Sequence, residues 1–409
     1  MRIARGRPDR GGFALPVAVL ALVVVGVLVT AGFYMAQQET RIGVASQNSS
    51  MAFYIAEQGM NEVLANWSAA EYSQIPLWDT ATVTGTITQG GYTVNVYRLT
   101  DRLYWVESEG QVTQGGRLAG ATRKMGLLAK IRTAWIDPPA ALTTRGETDV
   151  GGTAMVNGYD SIPGPWRDQG MCTGTGADKP GIMTDSTDQV DTGGQGQILG
   201  DPPDSVDTSI GDSTFTDYGE LQWADLVELA QADGKNVSGQ GSTMSGVSPS
   251  LSGGVCDTAS PTNWGEPLYV QTGGTVPVAA CQSYFPLVYH RGPLTIQGNS
   301  RGQGILLVGN IAQDGTMTGD LDLRGDFYFM GIIIVLGSFE TQSADPKIYG
   351  GVLAGNAQVD SNGQDITGGS VVQYSSCAVT QAIMNNASLA KARPLLQRSW
   401  VDLSNVSYD

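Results

Sequence analysis

Residues 13–36 read FALPVAVLALVVVGVLVTAGFYMA, an unbroken run without a single charge. That length meets the roughly 20 residues an α-helix needs to cross a bilayer core. Beyond Ala36 the pattern changes. Ile42, Ala45, Ser49, Ala52, Phe53, Ala56, Met60, Val63, Leu64 and Trp67 recur at mostly three- and four-residue intervals, with Gln, Asn, Arg and Glu between them. This is the apolar stripe of an amphipathic helix. One helix is therefore expected from Phe13 to Trp67, about 80 Å long at 1.5 Å per residue, spanning lipid over 13–36 and packing on a soluble body over 37–68. Pro16 falls in its first turn, where a missing N–H costs little. Gly26, Gly32 and Gly43 suit close helix packing in a membrane or a filament.

Residues 75–132 switch to a period of two, in Tyr92–Tyr97, Leu103–Gly110 and a run through Leu127, Leu128 and Ile131, with turns at Gly90-Gly91, Thr100-Asp101 and Gly115-Gly116. They predict a small antiparallel sheet whose apolar face covers the helix stripe. From 133 to 284 the chain loosens into Gly, Asp, Ser, Thr and Pro, which predicts a loop-rich insertion with one helix near 218–232; such loops are either a partner-binding surface or a polar region pinned by disulfides. Between 285 and 376, short aliphatic runs (LTIQG, GILLVG, LDLRG, GIIIVLG, IYGGVLAG, SVVQY) are punctuated by glycine. Runs as apolar as Gly331–Gly337 must be covered on both faces, as in a β-solenoid or a two-sheet sandwich. The tail, 377–409, predicts a short helix ended by Pro394, with Leu395, Leu396 and Trp400 docking back on the body. The fold class is α+β: a long N-terminal helix, a small antiparallel sheet, and a Gly-rich β-solenoid or sandwich-like region.

Charge and composition narrow the function. The 409 residues carry 55 Gly, only 15% charged side chains and a net charge of -16. Four arginines (Arg2, Arg5, Arg7, Arg10) against Asp9 give the first twelve residues +3, so the remainder carries -19. A nucleic-acid partner is not expected, because phosphate contact needs clustered Lys and Arg. The basic leader stays cytoplasmic under the positive-inside rule, which places everything after the apolar run outside the cytoplasm. An ordinary cleaved secretory signal would have a shorter apolar core and a small-residue cleavage site. Cys172, Cys256, Cys281 and Cys377 lie in the exported part, without a CxxC or a histidine at ligand spacing, so they are candidates for disulfides rather than zinc ligands. Three pairings are open, Cys256 with Cys281 being the closest in sequence; buried free thiols are the alternative.

Reactive chemistry is sparse. Gly298-Asn299-Ser300-Arg301-Gly302 has the letters of a hydrolase elbow, but a strand pattern follows it where a helix is required, and the one histidine, His290, precedes it. His290 is expected to be a rim or packed residue. Asp185, Asp188 and Asp191, or Asp201, Asp204 and Asp207, offer oxygens to calcium but lack the EF-hand spacing, its glycine and its bidentate Glu. A solvated acidic loop is the plainer reading, and no cofactor is expected. Arg324-Gly325-Asp326 spells an adhesion tripeptide inside an expected β-repeat, where chance suffices. No catalytic constellation is present, and an enzyme is not expected.

The N-terminal residues carry a resemblance. Arg10-Gly11-Gly12 followed by Phe13-Ala14-Leu15 and the apolar run resembles a type IV prepilin leader, and Ser50–Asn61 (SMAFYIAEQGMN) is similar to the N-terminal region of PilX-type minor pilins. The resemblance covers about the first 70 residues. It implies a pilin-like helix, cleavage by prepilin peptidase between Gly12 and Phe13, N-methylation of Phe13, and Phe53 and Glu57 as helix residues of the filament region. It also implies an inner-membrane, single-pass chain with other pilins, the pilus assembly machinery and the lipid bilayer as partners. Major pilins carry Glu as the fifth mature residue; here it is Val17. A carboxylate with no subunit above it would be buried unpaired, so valine there implies a priming or tip subunit rather than a shaft subunit. Three functions follow: a non-enzymatic priming or tip minor pilin of type IV pilus assembly, with or without an adhesive head, a tip pseudopilin of type II secretion, or a membrane-anchored surface adhesin.

Overall fold

The computed structural model describes residues 14–404 apart from 114–119, 133, 168, 173, 187–189, 233, 272–273, 342–344, 356–363, 367–368 and 396–399. Gly12, Phe13 and the arginine-rich leader lie outside the described residues, as do Gly115-Gly116, Asp188 and Leu396. The chain divides into two compact units, residues 1–130 with 392–409, and residues 131–391.

The first unit is a helix on a sheet. Helix α1 runs unbroken from Ala14 to Ala65. Its apolar part has no β-strand competitor because the alternation needed for a strand is absent, and Thr30 and Thr40 return their hydroxyls to the carbonyls of Gly26 and Ala36 at 2.7 and 2.8 Å. The strands β1 (Thr80–Ile87), β2 (Gly90–Arg98), β3 (Leu103–Val112) and β4 (Thr122–Ile131) form an antiparallel meander in chain order. Along β2, buried and half-buried positions alternate, with Tyr92, Val94 and Val96 turned inward. The period-two reading of 75–132 thus corresponds to β1–β4. Two short C-terminal strands, Ala392–Pro394 and Trp400–Asp402, complete this sheet, both beside β4.

Helix and sheet approach closely because small residues face one another. Ala52, Ile55, Ala56, Met60, Val63 and Trp67 are buried against the sheet. A Cβ on Gly110 would lie 2.2 Å from the Ala52 carbonyl oxygen, and one on Gly59 would lie 2.5 Å from the Tyr92 ring. The Ser108 hydroxyl donates to the Ala56 carbonyl at 2.7 Å. The docked stripe is shorter than the sequence pattern implied: Ile42 and Ala45 are exposed, and the buried face begins near Ser49. The sheet simply ends there, at the Arg123 side chain that reaches Ser49 at 2.6 Å.

The second unit is a stack of parallel coils. Leu287–His290, the second half of Ser300–Val308, the second half of Phe327–Val335, Val352–Ala354, Leu142–Thr144 and Ile182–Thr184 pair in parallel, one after another. A second parallel ladder joins Leu294–Gln297, Leu321–Arg324, Phe339–Thr341, Gln364–Ile366, Thr148–Val150 and Val190–Thr192. The first halves of the long strands form a third, continued by Val371–Tyr374, Met155–Asn157 and Gln197–Leu199. The long strands bend at Gly304, Gly331 and Gly350, which are neighbours in register and all take a positive φ, from 106 to 139°. Only glycine takes that conformation without strain, so the three form the corner of successive coils.

The coils are out of chain order. The last of them, 352–374, lies beside the first, 142–157, and the strands near 182–206 continue beyond it. The expected loop-rich insertion over 133–284 therefore contributes short strands to the same sheets as 285–376, in addition to its loops. Three-residue strands show no measurable period, and their partners stand about two hundred positions away in the sequence, which is why the composition read as loop. The helix expected near 218–232 is Trp223–Ala232, Tyr218 instead pairing with Leu221.

Aliphatic and aromatic side chains such as Leu306, Leu321, Phe327, Phe329, Ile333, Phe339, Ile348 and Val372 fill the interior of the coils. The outward Leu287, Ile305, Leu307, Ile332, Ile334 and Leu353 are covered by Phe215, Trp223, Leu226 and Leu229 from helices Asp212–Thr216 and Trp223–Ala232. That double coverage is what the glycine-bounded apolar runs demanded. Cysteines pair Cys172–Cys377 and Cys256–Cys281. The C-terminal helix is Ser376–Met384 and stops well before Pro394, because Asn386 turns its carboxamide back to the amides of Ser388 and Leu389 at 3.0 and 3.2 Å.

Candidate functional site

The feature of the first unit that asks for a partner is α1 itself. Its N-terminal part has a mean hydropathy of 2.6 over the most apolar window, none of it buried within the chain. Val17, Leu22 and Phe33 are more than half exposed. Among the described residues this is the one helix long and apolar enough to cross a membrane. From Ala14 to Ala36 it extends about 35 Å, against about 30 Å of bilayer hydrocarbon. No atom of the chain lies within 4 Å of a Cβ built on Gly26, Gly32 or Gly43, so each leaves a shallow notch on the helix. Such notches let a second helix approach closely.

The residues singled out in the sequence separate along this helix. Val17 sits in the exposed apolar half and Glu57 is exposed on the docked half. Phe53 is half-buried and packs edge-on to Tyr54 and Trp400, with ring centroids 6.3 and 6.5 Å apart. Around Phe53 lies a small cleft of about 280 Å³ that also takes in Ser49, Ser50, Tyr54, Arg123 and Asp402. Arg123 and Asp402 face each other at 3.6 Å, and hydrogen bonds from Ser404, with Arg123 behind them, hold the Asp402 carboxyl below its ordinary range. Sequence reasoning missed Arg123, Trp400 and Asp402 as neighbours of Phe53. No local signal places them there, since Trp400–Asp402 reaches β4 only through strand pairing across the whole insertion.

Further along the docked half, the Tyr92 hydroxyl donates to Glu62 at 2.6 Å; this hydrogen bond to a carboxylate is the main reason its pKa is pushed up to about 12. The other residues weighed for chemistry are occupied structurally. His290 is buried, its Nδ1 3.2 Å from the Gly292 carbonyl and its Nε2 2.9 Å from that of Gly241. The Ser300 hydroxyl accepts from the Val247 amide and donates to the Gln297 carbonyl. Arg301, its neighbour, makes a bidentate pair with the fully buried Glu266 at 3.0 Å. Arg324 turns to Asp322 at 2.5 Å.

These observations define an α+β protein in which one long helix leaves an apolar half uncovered and seats its other half on an antiparallel sheet, the arrangement that the prepilin resemblance implies. No protein-family model matches the chain, and no curated protein matches its sequence. Among solved structures it is similar to the competence-associated pilin ComZ from Thermus thermophilus, at 12% identity and a TM-score of 0.24, over 87% of this chain and 98% of that one.

Proposed function

We propose that this chain is a minor pilin of PilX type, a non-enzymatic subunit that primes or caps a type IV pilus and needs no cofactor. The observation that carries the reading is the division of α1. An uncharged, uncovered half long enough to span a bilayer continues without a break into a half fastened to a sheet. A simple anchor needs only the first half. A subunit drawn from the membrane into a helical assembly needs both, since the exposed half must exchange lipid for neighbouring helices while the docked half carries the folded body. Its partners on this reading are prepilin peptidase, other pilins and the inner-membrane assembly machinery. Val17 supports a priming or tip place, where no carboxylate has to meet the amine of another subunit.

Mass spectrometry of the mature N-terminus tests it. The natural chain should begin at a methylated Phe13, and a Gly12→Leu variant should keep its leader and remain in the membrane. A natural chain that retains residues 1–12, or a variant cut as usual, would refute the prepilin reading. Should the processed chain be found in a type II secretion complex instead, the tip-pseudopilin alternative takes its place.

A further inference from the structure

The outer face of the unit 1 sheet, opposite α1, carries a cleft of about 400 Å³ lined by Trp78, Tyr97, Leu99, Trp105, Glu107 and Lys124. We propose that this cleft binds a neutral pyranose sugar, stacked against Trp78, Tyr97 and Trp105 and hydrogen-bonded at one end by Glu107 and Lys124. The proposal stands whether or not the chain enters a filament.

The aromatic walls are built and held. Tyr97 and Trp105 are directly opposite each other on β2 and β3. The Trp105 ring lies over Gly126 of β4, where a Cβ would come within 2.1 Å of it, so the glycine lets the indole rest on the sheet. Trp78 is 76% exposed and has a φ of 69°. That left-handed conformation is costly for a bulky residue and persists only where the surroundings enforce it. Arg98 does so. Its guanidinium donates to the carbonyls of Ser73 and Ile75 at 2.6 and 2.9 Å and to Asp101 at 2.8 Å, and its carbonyl accepts from the Trp78 amide at 2.8 Å. The backbone that carries the exposed indole is thereby held to β2 at the edge of the cleft.

The polar end is a carboxylate beside an ammonium. Glu107 is only 9% exposed, and the Lys124 ammonium stands 3.7 Å from its carboxylate as its ion-pair partner. Lys124 also pairs with Glu109 at 3.2 Å. A carboxylate and an ammonium that line one cleft can accept from and donate to the hydroxyls of a single ligand.

These features select among ligands. A purely apolar molecule would fill the aromatic slot but strip water from the Glu107 carboxylate and the Lys124 ammonium. An anion would meet the Glu107 carboxylate and an ammonium already paired with Glu109. A peptide strand would find no open main chain, because β2 and β3 are paired on both sides. A pyranose offers C–H faces for the aromatic rings and a rim of hydroxyls for Glu107 and Lys124. The volume is at the small end of ligand pockets and suits one or two rings.

The test uses the full chain in a sugar-free zwitterionic detergent. Calorimetry and saturation-transfer NMR are run with methyl glucoside, methyl galactoside, N-acetylglucosamine and their β-linked disaccharides. At least one sugar should bind with a Kd of about 10 mM or tighter, and affinity should fall about tenfold in both Trp78→Ala and Glu107→Gln. Trp400→Ala, remote from the cleft, should bind as the natural chain does. Trp78 is exposed, so its loss spares the fold, which circular dichroism verifies. The proposal is overturned if no sugar of the panel binds, or if binding persists unchanged in both folded variants.

Discussion

Lys235 shows what burial does to a single charge in this chain. Only 5% exposed, it donates to the carbonyls of Thr258 and Ser260 at 2.9 and 2.6 Å, and burial pulls its pKa down to about 8 from 10.5. Between those two values the unfolded chain holds more protons than the folded one, so stability rises as pH climbs through that interval. Buried tyrosines act the other way but later. Desolvation raises Tyr328 and Tyr374 above 10, which removes stability only as the pH passes the unfolded tyrosine value of 10.0. The urea midpoint of residues 131–391 in the full chain should therefore increase from about pH 8 to about pH 9.5. A Lys235→Met variant should show a flat profile over that range; an equal rise in the variant would refute the assignment. Nothing in the sequence distinguishes Lys235 from a surface lysine, because its burial depends on a loop more than twenty positions away.

At the scale of elements, the helix and the meander were legible because their signals are local. A 3.6-residue stripe and a two-residue alternation are properties of adjacent positions. What they could not show is how closely the two elements approach. Gly110 looked like one more glycine in a strand; in the fold its missing Cβ admits the backbone of α1 at Ala52 and Ala56. Gly110→Ala should thus force the helix off the sheet and destabilise the first unit by about 1–3 kcal/mol, the range for overpacking a tight interface. Thermal denaturation followed by circular dichroism measures this. Gly26→Ala, where nothing lies within 4 Å, serves as the control and should leave the midpoint unchanged. The C-terminal helix begins where the sequence placed it but ends earlier, for a local reason. Pro394 looked like its stop signal, whereas an asparagine turn at Asn386 ends it earlier.

At the scale of the whole molecule, residues 131–391 are an insertion between two neighbouring strands of one sheet. β4 ends at Ile131, and the next strand beside it begins at Ala392. Leu395 donates its amide to the Leu128 carbonyl at 3.1 Å, so the chain returns where it left. Replacing 131–391 by an Asn-Gly hairpin turn should therefore give a membrane-inserted first unit with intact sheet, since a two-residue loop suits neighbouring antiparallel strands. Its amide protection in β2 and β3 should match that of the full chain. Loss of that protection would mean that the sheet depends on the insertion.

The sequence by itself determined the helix, its division into uncharged and amphipathic halves, the meander, Val17, and the apolar runs that must be covered on both faces. Each of these is set by residues within a few positions of one another. Only the tertiary structure decided that 142–206 joins the coils of 285–376, that the coils stack out of chain order, that Cys172 pairs with Cys377, and that Trp78, Trp105 and Glu107 share a cleft. Parallel strands pair through backbone hydrogen bonds that carry no residue code, and their partners are chosen by burial across hundreds of positions. Local pattern decides what an element is. Which face it shares, and with whom, is decided where the chain closes on itself.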